Sequence, residues 1–358
     1  MKYYVVKSGL RMYDLSKTYG LGLILQKLSG SVVKVKDFGH YYLIDTKAKY
    51  DLKKLKKLSE LLPEENDKKW GYLFLTLKGK GRNDKIKELK KLIINKEIIS
   101  VILDKFKNIR QPEFFDSPKK ERRETLYQSQ DLGATKGFRE KIRGIVYSEG
   151  SQLYIPKEDF LLSVLGHLNF TIWKWKMEKK SGQLIMILFN PSTDGILIGT
   201  SPDARDITRR IDESLTTHKA GIFSILSYAS VSLAKEISLQ KERRRIPKFS
   251  NLIFSVMVGS GQQRKPYGGG VYPLDFLHKI INSTEKAAEI FEKWINIFRL
   301  TNQPGYEELA IYLSEFITYP SEETLDKYLK THLRTYLNKD VKPQLYDIQI
   351  IEEVLKNV

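Results

Sequence analysis

Three consecutive arginines, Arg243, Arg244 and Arg245, stand inside the basic segment 241–248, which closes on Lys248. Guanidinium forks match phosphate oxygens and the edge of guanine with two hydrogen bonds at a time. Successive helical side chains are rotated by about 100°, so three neighbours cannot share one face and some must fan outward. The same run would also suit a solvated helix end, where cations favour the dipole. A second basic stretch follows at residues 260–270. It carries Gln262, Gln263, Arg264 and Lys265 beside four glycines, a composition in which backbone can approach a ligand closely and the side chains can meet base edges or phosphates. The segment 241–265 carries seven basic residues and one acidic residue, the whole net excess of the central part of the chain, and reads as one localised patch. A third candidate is the arm at 107–145. It contains Lys119, Lys120, Arg122 and Arg123, then Lys136, Arg139, Lys141 and Arg143, and could follow a phosphate backbone or be a solvated loop.

Other chemistry finds little support. There is no cysteine, which excludes disulfides, thiolate catalysis and cysteine-ligated metals. The five histidines, His40, His167, His218, His278 and His332, show no metal-like pairing. No carboxylate cluster, nucleophile elbow or phosphate-binding loop is found, so neither a catalytic site, a metal nor a cofactor is expected. Trp173 and Trp175 alternate with Lys174 and Lys176, a pattern that can stack bases but more often marks core.

The chain has 358 residues and a formal net charge of +18. A field of that sign attracts polyanions. The excess is uneven: residues 1–77 carry +7, 78–145 carry +9, 146–272 carry +6, and 273–358 carry −4. The last segment is therefore a different surface, suited to contact with another protein. Lysine- and glutamate-rich composition without cysteine fits a thermophile. No signal peptide is read, and the apolar run near residues 221–233 is too short and polar to span a bilayer, so a cytoplasmic protein without membrane contact is expected.

The elements that must position these residues point to an α+β fold with four regions. Residues 1–106 form a mixed N-terminal region, 107–145 a basic connector, 146–272 a central α/β region, and 273–358 a C-terminal helical bundle. Strands are expected at 3–6, 31–35, 40–44 and 72–77. Helices are expected at 13–28, with Gly20 and Gly22 marking close packing or a bend, and at 51–62 and 85–94, with a turn at 78–83 between them. A short helix is expected near 121–130. A buried helix covers 156–175 and carries Trp173 and Trp175 in its tail. Residues 183–189 and 195–199 make a hairpin. A helix to about 214 is capped by Ser201 or Asp203, and another covers 222–240. An apolar strand at 252–258 leads into the glycine-rich loop. Helices near 274–301, 306–318, 321–337 and 344–357 follow, with short links that imply antiparallel packing.

Several stretches together resemble one family. They are the run from Tyr19 to Gly22 followed by residues 28–31; residues 136–139; residues 147–159, from Tyr147 through Pro156 to Asp159; Trp173 and Trp175; and residues 261–270. Their order resembles the large subunit of the type I-A CRISPR Cascade complex. The resemblance spans most of the chain and rests on no single diagnostic motif. It implies a non-catalytic subunit at the foot of a guide-RNA ribonucleoprotein. Such a subunit helps recognise the protospacer-adjacent motif on double-stranded target DNA, meets guide RNA through the complex, and leaves cleavage to other proteins. The C-terminal helical bundle would then dock other Cascade subunits. The alternatives are a free-standing RNA- or DNA-binding protein and a metal-dependent nuclease.

Overall fold

The computed structural model describes residues 1–74, 77, 79–115, 126–128, 141–142, 145–146, 154–178, 181–200, 202–216, 221–240, 248–260, 263–337 and 345–356. The chain divides into two compact units. The first comprises residues 1–208, 247–249 and 253–270; the second comprises 209–246, 250–252 and 271–358. The class is α+β, with antiparallel sheets in the first unit and helices at the C-terminal end.

Two helices form the centre of the first unit: α1 (Arg11–Ser29) and α5 (Lys157–Phe170). Both are buried nearly all round, and glycines govern how they meet. A Cβ on Gly20 would lie 2.0 Å from the carbonyl oxygen of Leu162, and one on Gly166 would lie 1.8 Å from that of Ser16. Only hydrogen fits at either place. The close approach lets Ser16 and Ser163 share a buried 2.7 Å hydrogen bond, while the Tyr19 and Phe170 rings stack at 4.3 Å.

A four-stranded antiparallel sheet packs on α1. It contains β1 (Lys2–Val6), β2 (Val33–Asp37) and β3 (Tyr41–Thr46), in the order β1-β3-β2 and then a late strand, β10 (Ile196–Ile198). Alternating burial in β1, β2 and β3 gives them one core face. Gly30, at φ 67°, ends α1 in the left-handed conformation that suits glycine at a helix end. Residues 52–61 form a 3-10 helix capped by Asp51, tighter than the α-helix expected there.

Three expectations for residues 68–106 need correction. Residues 72–73 are not strand but the end of α2 (Lys68–Leu73), started by the Asp67 side chain, which accepts from the Lys69 amide. Phe74, the residue that caps the C-terminal end of α2, stacks on Trp70 at 5.7 Å. The expected turn at 78–83 is mostly the first turn of α3 (Gly79–Leu92). The sequence reading also left out α4 (Lys96–Lys105), which Asn95 caps through two amides.

The expected helix near 121–130 contains instead a short strand, β4 (Leu126–Gln128), paired antiparallel with β7 (Tyr154–Pro156). A minimal pair, β5 (Lys141–Ile142) and β6 (Ile145–Val146), lies between them in sequence. The helix expected to run to Trp175 stops at Phe170. Thr171 turns extended, and Ile172–Glu178 is strand β8. Here the period-two alternation of Trp and Lys outweighs the apolar helix before it.

The second sheet has the order β12-β11-β9-β8, with β9 (Ser181–Pro191), β11 (Phe249–Ser260) and β12 (Gln263–Pro273). Two more expectations fall here. Residues 183–189 and 195–199 are no hairpin: β9 pairs with β8, whereas β10 pairs with β2, so residues 192–195 carry the chain from one sheet to the other. The glycine-rich stretch is mostly strand β12, and only residues 261–262 separate it from β11.

The second unit is helical. α7 (Ile222–Gln240) lies among α8 (Asp275–Ser283), α9 (Ala287–Arg299) and α10 (Tyr306–Thr318). Tyr228 stacks on Phe298 at 5.6 Å and accepts a hydrogen bond from Arg299. α11 (Glu322–Leu337) packs on α10, and α12 (Leu345–Lys356) meets α8. α6 (Ala204–Ser214) spans the division and is capped by Asp203, which accepts from the Asp206 and Gly199 amides. By composition α7 is long and apolar enough to cross a membrane, more so than its sequence suggested. In the structure 67% of its apolar window is buried, as in the central helix of a bundle.

Candidate nucleic-acid interface

β11 is the element that positions the basic residues. Segment 241–248 precedes it, and Gln263, Arg264 and Lys265 open β12 just beyond its far end. A 12-residue strand rising about 3.3 Å per residue is roughly 36 Å long. Of the described residues, Lys248 on one side and Arg264 and Lys265 on the other are therefore separated by the length of a strand.

Arg243, Arg244, Arg245, Gln262, Lys119, Lys120, Arg122 and Arg123 lie outside the described residues. Gln263, Arg264 and Lys265 stand at the β11-proximal end of β12.

Lys248 is well placed. Its amide donates to the carbonyl of Gly195 and its carbonyl accepts from the amide of Ser192, so it is tied to the turn between β9 and β10. Its ammonium meets Asp194 at 2.6 Å. The hydrogen bond and charge of Lys248 hold the Asp194 carboxyl below the usual carboxylate range. Both side chains are more than half exposed, so the pair contributes little to stability and the ammonium can exchange its partner for a phosphate at small cost.

The turn that receives Lys248 is itself built on buried polar contacts. The Asn190 side chain donates to Asp37 at 2.9 Å and accepts from the Tyr42 hydroxyl at 2.9 Å. Lys7 completes the group, 2.7 Å from Asp37 and over the Tyr42 ring. Gly195, at φ 84°, lets the turn pass against the Val35 carbonyl, which a Cβ would meet at 2.5 Å. None of these residues stood out as functional in the sequence; the Asn-Pro pair at 190–191 signalled only a turn.

Trp173 belongs to the core, 5% exposed and stacked near Tyr72 and His167. His167 is fully buried, and burial pushes its imidazole down to about 3, so it is neutral. Its Nδ1 shares a 3.0 Å hydrogen bond with Thr171.

Sequence reasoning missed a buried charge cluster where α1, α4 and α5 meet. Asp159 is 2% exposed and receives Lys105 at 2.9 Å and Lys17 at 3.4 Å. Burial alone would raise its carboxyl, but the two ammonium groups outweigh burial and hold it low. Nearby Asp14 accepts from the Ser8 amide and hydroxyl and the Gly9 amide; burial prevails there and raises it to about 6. A cleft of about 470 Å³ lies alongside, lined by Ser100, Asp104, Lys105, Arg110, Glu113 and Glu158 among others. Three carboxylates against two cations make a poor seat for a polyanion, so this cluster is read as structural. Among the described residues no three His, Asp or Glu side chains converge as a metal site requires.

The described architecture is α+β in two units, with Lys248 before and Arg264 and Lys265 after an inner strand of the second sheet. No protein-family model matches the chain. The chain is 37% identical over 365 residues to an uncharacterized protein of Archaeoglobus fulgidus, covering 100% of this chain and 98% of that protein, and it belongs to the same family.

Proposed function

We propose that this protein is the non-catalytic, nucleic-acid-binding large subunit of a CRISPR RNA-guided interference complex. In this reading it acts in antiviral defence in the cytoplasm, with no membrane partner. It contributes to recognition of the protospacer-adjacent motif and of double-stranded target DNA, and it meets guide RNA through the complex. The observation that carries the nucleic-acid part is the distribution of charge about β11. From Arg243 to Leu274 there is no acidic residue, while basic residues stand at both ends of the strand. Neutral or basic ligands gain nothing from such a surface; a phosphate backbone does. The sequence resemblance supports the specific assignment. Base pairing by the guide would supply long sequence specificity, leaving the protein to read a short motif and backbone.

Docking of other Cascade subunits by the C-terminal bundle is supported by the −4 charge of residues 273–358 and by apolar residues left in solvent on α10 and α11, including Ile311 and Leu333. Such a surface suits protein better than DNA.

The test is to purify the tagged protein from its native cells and identify what accompanies it. Repeat-derived guide RNAs with a repeated backbone subunit are expected; a lone protein, or one carrying mixed cellular RNA, overturns the complex and leaves a free-standing binder. In the assembled complex, changing Arg243, Arg244 and Arg245 to Ala is expected to weaken target binding. It should also flatten the log–log salt dependence by about 0.9 for each lost phosphate contact. Unchanged binding removes the arginines from the interface. Magnesium-dependent cleavage lost on a single Asp or Glu substitution would make the protein a nuclease instead.

A further inference from the structure

We propose that β12 presents a stacking platform for an unpaired base of a polynucleotide, with Tyr267 as the platform. The inference rests on the nucleic-acid reading above and names a ligand and a residue within it.

β12 ends the order of the second sheet, so among the described residues one of its sides faces no further strand. An aromatic residue on a strand ordinarily packs on its cross-strand neighbours. Tyr267 does not: it is 68% exposed, among the most exposed large side chains of the described residues. The surroundings keep it open. A Cβ on the next residue, Gly268, would meet nothing within 4 Å. The strand behind is firmly seated, since β11 buries Leu252, Ile253, Val256 and Met257. Gly270 lies against it, where a Cβ would be 3.6 Å from the Phe254 ring. The platform is thus a ring in solvent on a supported backbone, an arrangement with little ordering left to do on binding.

Charge and backbone chemistry select the occupant. Arg264 and Lys265 lie three and two residues before Tyr267 on the same strand, and no acid occurs until Asp275. Aromatic rings interleaved with cations bind single strands by stacking and phosphate attraction together. An added peptide strand is the rival occupant of a sheet edge. Pro266 removes a ladder donor, and three successive glycines make a weak pairing strand, so peptide addition is disfavoured here.

The experiment compares the full chain binding two fluorescent 12-mers at fixed salt: oligothymidylate, and an abasic oligomer with the same phosphates. A stacked base contributes about 1–3 kcal/mol, so the thymidylate is expected to bind about 5- to 150-fold more tightly. Tyr267→Ala should lower that preference by most of this factor while leaving abasic binding and its salt dependence unchanged. Tyr267→Phe, which keeps the ring, should stay within about 2-fold of wild type. If Tyr267→Ala keeps the preference, or wild type binds both oligomers equally, the stacking role is overturned while the nucleic-acid reading stands. If wild type binds neither, the nucleic-acid reading fails and takes the platform with it.

Discussion

Replacing Gly166 by alanine should force apart the two helices at the centre of the first unit. The new Cβ would sit 1.8 Å from the Ser16 carbonyl oxygen, whereas ordinary contact begins at 3.4 Å, so the backbones must separate by about 1.5 Å. The obstacle is helix backbone, which cannot rotate aside as a side chain can. Separation stretches the 2.7 Å Ser16–Ser163 hydrogen bond and loosens the Tyr19–Phe170 stack. Ser16 keeps a second acceptor, the Tyr13 carbonyl, so the main loss falls on Ser163. Overpacking costs about 1–3 kcal/mol, a buried hydroxyl left without its partner about 1–3 more, and alanine returns up to about 1 in helix propensity. The net loss is about 1–6 kcal/mol, or roughly 2–24 °C in melting temperature for a unit of this size. Gly81→Ala is the matched control: it lies in α3 and its Cβ would meet nothing within 4 Å. Only the propensity gain of about 0.5–1 kcal/mol should remain there, raising the midpoint by a few degrees. Thermal and urea unfolding followed by circular dichroism read both. A Gly166→Ala protein that melts with wild type would refute the close crossing of α1 and α5.

The buried ion cluster predicts that half a cluster is worse than none. Asp159→Ala strands Lys17 and Lys105 beside an apolar core and should cost about 3–5 kcal/mol, while Lys17→Met with Asp159→Leu should cost less; a double variant weaker than the single would refute the reading. The pH dependence follows from two buried groups of opposite sign. His167 is lowered from its usual 6.5 to about 3, so its contribution is full above 6.5 and is lost as pH falls toward 3. Asp14 is raised from 3.8 to about 6, so its contribution is full below 3.8 and is lost as pH rises through 6. His167→Gln removes the first alone; from pH 7 to pH 4 its urea stability should gain about 3 kcal/mol relative to wild type, and a difference independent of pH would show that His167 is not buried in its neutral form.

Where local chemistry and burial agree, the sequence reading matches the fold. Glycine inside the apolar run at 13–28 pointed to close packing, and the structure shows the partner it packs against. The C-terminal helices begin near residues 306 and 322 as expected, but the single helix expected at 274–301 is two, α8 and α9, broken where Thr284 turns extended. Disagreement comes where partners are distant in sequence. Residues 183–199 look like a hairpin because both halves are strands and the link is a turn, yet the second strand closes a sheet begun at residue 2. Nothing in the local sequence singled out the charge of Asp159, since its cations arrive from helices 142 and 54 residues earlier. Pairings at such range leave no periodicity in the local sequence.

The candidate interface shows the same limit from the functional side. Counting charge along residues 241–265 joins two basic segments because they are near in sequence, but the residues between them form an extended strand, the most separating conformation available. About 36 Å of β11 is also about one turn of B-form duplex, which advances roughly 34–36 Å. Under the proposed function, Lys248 and the pair Arg264 and Lys265 would meet phosphates about a turn apart rather than crowd onto one. The β12 end also carries a solvent-facing tyrosine, a feature that stacked duplex bases cannot use and unpaired ones can.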